Sequence, residues 1–137
     1  MKLLSGRCLC GAVAYTVPDA LQYAGYCHCS DCRRFSGSAF SAMGGVPLAN
    51  LSIVRGADQI GRYLKSEQTV LCFCRNCGSS LYAEKPQRGM AHLRLGTLDE
   101  APSLAPQFHS YVASKAPWYV ICDGLPQHPA GRGAVKP

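Results

Sequence analysis

Acidic residues are scarce in this chain: eight aspartates and glutamates stand against fourteen lysines and arginines, and charged residues make up only 16% of the whole. With 47% hydrophobic residues, that balance excludes a disordered polyelectrolyte and points to a globular protein. Long apolar runs are also missing. Nothing approaches the roughly 20 consecutive residues that cross a bilayer, so no membrane partner is expected. Residues 1–8 carry a lysine but no apolar core of the roughly 7–15 residues that a secretory signal needs, which points to a cytoplasmic location. Basic residues are scattered and only Arg33 and Arg34 adjoin, so there is no stripe to grip nucleic acid. Repeats at a solenoid period are absent. Helix signals are weak as well.

What the chain has instead is turn chemistry, short apolar stretches and cysteine. Fourteen glycines and nine prolines among 137 residues predict a mainly β fold of short strands. Residues 12–17 alternate, with Val13, Tyr15 and Val17 on one face, and Pro18-Asp19 ends the run. Further strands are predicted at 39–43, 51–54, 60–64, 69–73, 80–83, 91–95, 109–112 and 118–121. Turns are expected at residues 44–47, 55–56, 77–78, 85–86 and 100–102. One short helix is expected at Cys29–Phe35, and a helical turn at Ala57–Ile60. The length fits one domain, placed at 1–126, with a flexible Gly-, Pro- and Ala-rich tail at 127–137. A domain of this size buries about two-thirds of its unfolded surface, so a metal staple would help a modest core.

Nine cysteines in a reducing compartment read as metal ligands or catalytic groups rather than disulfides. Cys74 and Cys77 form a C-x-x-C turn followed by Gly78, which lets two sulfurs converge on one ion with backbone N–H groups turned toward them. Cys8 and Cys10, two apart at the start of the first predicted strand, point to one side and complete a four-thiolate set. A closed shell of this kind is expected to be structural. The second set packs Cys27, Cys29 and Cys32 into six residues. Three protein ligands and an exchangeable position are the pattern of a catalytic zinc. Asp31, Cys72, His92 and His109 remain candidates to close that shell, and a redox-sensing cysteine cluster is a further option. His28, between two ligands, points away from the metal by alternation, as a hydrogen-bonding support or a packed residue. Cys72 reads as a spare buried thiol and Cys122 as core. If seven cysteines hold two zinc ions as thiolates, the formal charge of +6 falls to about +3, which suits a small anionic ligand.

These residues resemble the glutathione-dependent formaldehyde-activating enzyme family, also called the Gfa or centromere-protein-V-like family. The matching stretches are residues 6–11, 26–37, 73–78, 96–99 and 109–118 leading to 123–126, in the family's order across nearly the whole chain. The resemblance implies a small zinc-stapled fold of short, twisted antiparallel sheets, similar to that of a Rab-binding zinc chaperone (Mss-like). It implies structural zinc at Cys8, Cys10, Cys74 and Cys77, and catalytic zinc at Cys27, Cys29 and Cys32. The implied activity is that of a carbon–sulfur lyase, an S-(hydroxymethyl)glutathione synthase acting on glutathione and formaldehyde or a related small aldehyde. Arg33 and Arg34, just after the ligand loop, are the expected contacts for glutathione's carboxylates, or else solvated surface charge. The alternative function is a non-enzymatic zinc module that binds a protein partner, as the Rab-binding relative does. Nucleic-acid binding, as in chromatin-associated relatives, ranks last because no basic extension is present.

Overall fold

The alternation around Val13 forms strand β2 (Ala14–Pro18), and Val13, Tyr15 and Val17 are buried together as the pattern demands. In the computed structural model, which describes residues 2–131, β2 lies between β1 (Leu3–Arg7) and β5 (Ser52–Arg55) in a three-stranded antiparallel sheet. The other strands form one seven-stranded sheet. In spatial order these are β10 (His109–Ser110), β3 (Tyr23–Cys27), β4 (Ser41–Pro47), β9 (Met90–Arg94), β8 (Ser80–Lys85), β7 (Thr69–Cys74) and β6 (Ile60–Ser66). All pairings are antiparallel except β10 with β3, which is parallel. The single α-helix among the described residues, α1 (Ser30–Ser36), falls where it was expected, and Ala57–Gln59 makes a turn of 3₁₀-helix.

The two faces of the large sheet do different work. A row of paired residues, Cys72, Tyr82, Leu93, Gly44 and Ala24, crosses β7, β8, β9, β4 and β3 on the face that meets the small sheet. There Leu4, Val13, Tyr15 and Val17 join Ala24, Val46, Val70, Leu81 and Leu93 in one buried cluster. Each fully buried Val or Leu contributes roughly 1.5–3 kcal/mol, so this interface is the main apolar stabilisation. The adjacent row, Leu71, Ala83, His92, Gly45 and Tyr23, lies on the opposite face and lines a cleft.

Several sequence expectations change. Strands β1 and β3 were not predicted, and residues 44–47, expected as a turn, lie inside β4. The changes at β1 and β4 share a reason, which also operates in β6. Gly6, Gly45 and Gly61 sit directly opposite Tyr15, Tyr23 and Phe73 on neighbouring strands. A Cβ on each would stand 2.3–2.4 Å from the facing ring, so these glycines are sockets for cross-strand aromatics. The strand expected at 118–121 is irregular, because the Lys115 ammonium takes the carbonyls of Ala116 and Tyr119. Cys122, expected in the core, is exposed in that loop. The expected tail boundary also moves. Residues 127–131 lie along 109–113, with His128 N–H donating to the His109 carbonyl (2.8 Å) and Tyr111 N–H to that of Ala130 (2.9 Å). The remainder of the expected tail, 132–137, lies outside the described residues.

The sockets differ in what can yield. Tyr15 is fully buried while Tyr23 is only partly so. Gly6→Ala is therefore expected to destabilise the fold by about 1–3 kcal/mol, and Gly45→Ala by less, as read from urea unfolding midpoints. Equal midpoints for the two variants would contradict the socket account.

Candidate metal centres and the cleft between them

Two loops build the first centre. Cys8 and Cys10 do not lie on a strand, contrary to expectation, but in the tight loop between β1 and β2. There Cys8 N–H donates to the Val13 carbonyl (3.1 Å), and Gly11 closes the turn with a φ of +82° that favours glycine. Cys74 ends β7 and Cys77 lies in the turn that leads to β8, closed by Gly78 at the same φ of +82°. The four sulfurs lie within 4.8 Å of one another. Backbone N–H groups of Val13, Ala12, Asn76 and Cys77 point at sulfurs of Cys8, Cys10 and Cys74 over 3.3–3.4 Å. Two residues that the sequence reading passed over tie the loops together. The Asn76 amide donates to Cys10 Sγ (3.2 Å), and Ser79 Oγ accepts from Leu9 N–H (2.9 Å) while meeting Cys77 Sγ (3.2 Å). These contacts favour thiolates: the Ser79 hydroxyl holds Cys77 down to about 5, and the Asn76 amide lowers Cys10. Burial pushes Cys74 up to about 11. Four soft donors with N–H groups aimed at them are a set compatible with zinc.

The second centre is local. Cys27 ends β3, Cys29 caps α1 and Cys32 lies in its first turn, with sulfurs again within 4.8 Å of one another. Cys29 Sγ accepts from Cys32 N–H at 3.3 Å, so the cap that starts the helix is itself a candidate ligand. Hydrogen bonds from Cys27 and then Cys32 pull Cys29 down to about 2, while the same sharing raises Cys27 and Cys32. Three sulfurs this close together are compatible with a cation in their midst. Among the described residues no other His, Cys, Asp or Glu joins this group. Each proposed fourth donor is engaged elsewhere. Asp31 pairs with Lys65 (3.0 Å), Cys72 lies buried on the core face, and His109 bonds His28. His92 shares the cleft, but its Nε2 accepts from the Arg88 guanidinium (3.2 Å) and the Tyr23 hydroxyl (2.7 Å).

His28 points away from the thiols into a buried chain. His109 Nε2 meets the Asp123 carboxylate at 3.0 Å, and His109 Nδ1 meets His28 Nε2 at 2.8 Å. A carboxylate only accepts, so His109 Nε2 donates to Asp123, and His109 Nδ1 and His28 Nε2 share one proton between them. Asp123 thereby orients the His109 ring, and His28, between Cys27 and Cys29, is held by that ring and by its own N–H, which donates to the Ser110 carbonyl (2.9 Å). Burial keeps His28 below its ordinary proton affinity, with neighbouring His109 adding to the effect. His109 and Asp123 both lie in stretches singled out in the sequence, but the contact of His109 with His28 comes with the β10–β3 pairing.

The three-thiol cluster opens on a cleft of about 1010 Å³ on the second face of the large sheet. Strand β4 serves as a ruler along its floor: Cys27 stands opposite Ser41, Arg94 opposite Met43, His92 opposite Gly45, and Met90 opposite Pro47 and Lys85. Its cations are Lys65, Lys85, Arg88 and Arg94, whereas Arg33 and Arg34 are not among the lining residues. Arg34 is exposed on the helix and Arg33 is partly buried with its Nε unpartnered.

Two sheets carrying cysteine clusters, one of which faces an open cationic cleft, define a small β protein with two candidate metal centres and a candidate ligand site. The family model of the glutathione-dependent formaldehyde-activating enzyme matches residues 3–114, and the chain belongs to that family. Its relatives include an Aspergillus flavus protein provisionally named as such an enzyme, 28% identical over 94% of this chain and 67% of its own. A similarly named Penicillium rubens protein is 30% identical over 79% of this chain and 60% of its own length. An uncharacterized lyase of Schizosaccharomyces pombe is 31% identical over 60% of this chain and 58% of its own. The crystal structure of a Rhodobacter sphaeroides protein superposes with a TM-score of 0.60 at 27% identity, over 72% of this chain and 91% of its own.

The cleft also makes a pH prediction. Burial, followed by the charge of Lys85, drives His92 from an ordinary 6.5 down to about 3. Below 6.5 the unfolded chain binds a proton that the folded chain refuses, so stability owed to His92 is full above 6.5 and drains as pH falls toward 3. His92→Gln is expected to flatten this acid loss in denaturation curves recorded on both sides of 6.5. Because the thiol centres are common to both proteins, parallel acid profiles would contradict the assignment.

Proposed function

We propose that the chain is a zinc-dependent carbon–sulfur lyase of the S-(hydroxymethyl)glutathione synthase type, joining glutathione to formaldehyde or a related small aldehyde. The observation that carries this reading is the three-thiol cluster at the mouth of a cationic cleft. The family and the names of its members support the substrates. Cys8, Cys10, Cys74 and Cys77 would hold a structural zinc, and Cys27, Cys29 and Cys32 a second one able to take an exchangeable ligand. A zinc in the second set supplies Lewis acidity and favours the thiolate form of a sulfur. The reaction forms one carbon–sulfur bond, opens the aldehyde's C=O π bond and delivers the thiol proton to the new hydroxyl oxygen.

The chain's own residues bind and orient. Lys85 and Arg88, at the far end of the β4 ruler from Cys27, replace Arg33 and Arg34 as contacts for glutathione's carboxylates. Thr69 Oγ1 accepts from Lys85 Nζ at 2.8 Å and aims it. Neutral His92 orients the Tyr23 hydroxyl between the two ends. We place the protein in the cytoplasm, where reducing conditions keep its unpaired thiols available as ligands.

Exchange spectroscopy of isotope-labelled formaldehyde with glutathione is expected to show faster exchange with protein than without, and no acceleration would refute the activity. Metal analysis separates the centres. Cys74→Ser is expected to unfold the chain, because metal-binding free energy there is folding free energy. Cys29→Ser is expected to stay folded, keep one zinc and lose exchange activity, and its unfolding would make the second centre structural.

A further inference from the structure

We propose that Arg94 is the counter-charge of the three-thiol centre and sets the affinity of that centre for a fourth, anionic sulfur ligand. This rests on the reading of Cys27, Cys29 and Cys32 as ligands of a divalent metal.

Arg94 ends β9 on the cleft face, one step along the ruler from Cys27, and is only 8% exposed. The ion pairs among the described residues join Arg62 to Glu84, Lys65 to Asp31 and His109 to Asp123, and none includes Arg94. Its Nε is buried without a hydrogen-bond partner, and its guanidinium stands over the Phe35 ring, 5.2 Å from the centroid. A guanidinium does not escape this situation by losing its proton under ordinary conditions. Removing such a charge from water without an anion is costly, so the fold must supply negative charge nearby. Burial works against the charged form of Arg94, and the groups favouring it are Cys32, Cys27 and Cys29, in that order, ahead of Cys72.

Neutral thiols could not do this. Three thiolates around a divalent cation leave one net negative charge, which matches the single positive charge of Arg94. A fourth thiolate adds a second negative charge to the centre, and in a water-poor site that repulsion is large unless a cation stands beside it. Of the other cleft cations, Lys65 also favours the Cys29 thiolate but shares its charge with a carboxylate, and the remaining two have partners farther along the cleft. Lys65 is paired with Asp31, Lys85 is directed by Thr69, and Arg88 leans on His92. Arg94 therefore acts on the sulfur, and Lys85 and Arg88 act on the carboxylates of the same substrate.

The test uses the intact chain loaded with Cd²⁺, whose sulfur-to-metal absorption band reports each added thiolate. It is titrated with 2-mercaptoethanol, which carries no charge besides its sulfur, and with glutathione. Arg94→Met fills similar space without burying a charge, which proteins commonly tolerate. It is expected to weaken both thiols by about ten-fold or more, the scale of a charge-assisted contact. Arg94→Lys is expected to stay close to wild type, and Lys85→Gln and Arg88→Gln to weaken glutathione alone. Wild-type affinity of Arg94→Met for 2-mercaptoethanol would overturn the proposal. So would a loss confined to glutathione, which would make Arg94 a carboxylate contact. If Arg94→Met fails to hold cadmium at the second centre, Arg94→Lys decides: restored loading and thiol binding support the counter-charge, and their absence overturns it. A wild-type protein that loads cadmium only at the four-sulfur centre would instead sink the reading of the second centre itself.

Discussion

The loop that joins β1 to β2 and the loop that joins β7 to β8 meet through four sulfurs, and this meeting holds the small sheet in its place on the large one. Cys10 and Cys74 are 64 residues apart in the chain, yet the entropy of closing so long a loop grows only slowly with its length. A metal bound by four thiolates stabilises small zinc domains by on the order of 10 kcal/mol, comparable to the whole stability of a domain this size. The apolar cluster between the sheets is modest and depends on their being held face to face. Asn76 and Ser79 keep the two loops in register even at the level of individual hydrogen bonds.

With one face of the large sheet occupied by the core, the other is free to carry chemistry. Its charges are arranged by burial rather than by abundance. His92 stays neutral and accepts hydrogen bonds from both neighbours, Lys65 is neutralised across the cleft by Asp31, and Arg94 is left as a buried cation beside three thiols. The loop of the three thiols is backed by the hydrogen-bonded run from Asp123 through His109 to His28, none of which joins the three-thiol group. Positive charge thus lines the cleft from the sheet, and the three thiols of the candidate metal centre face it from the helix cap. That division suits a substrate bearing both a sulfur and carboxylates.

Legibility varied with range. The alternating run of β2, the helix after Cys29 and the ligand groupings were readable because each depends on neighbours within a few residues. Strand β3 was not, since Gly25 weakens its pattern and the residue that fills the space beside it, Phe108, is far away in the chain. Glycines 44 and 45 read as a turn for the same reason: only the facing Leu21 and Tyr23 show why a strand would want no side chain there. Cys122 carried the composition of a core residue, but Lys115 holds its loop in a shape that leaves the thiol outside.

By itself, the sequence determined that seven cysteines fall into two unequal sets, that one set lacks a fourth member, and that the strands are short. Ligand spacing is a matter of a few backbone dihedrals, so it is written locally. The tertiary structure alone decided which cations face the open set. Strand order places β9 beside β4 and β4 beside β3, and so brings Arg94 and His92 onto the cleft that Cys27 opens on, while Arg33 and Arg34, adjacent in sequence, do not line it. Pairing across a sheet sums many weak contacts from distant parts of the chain, and no local pattern records that sum.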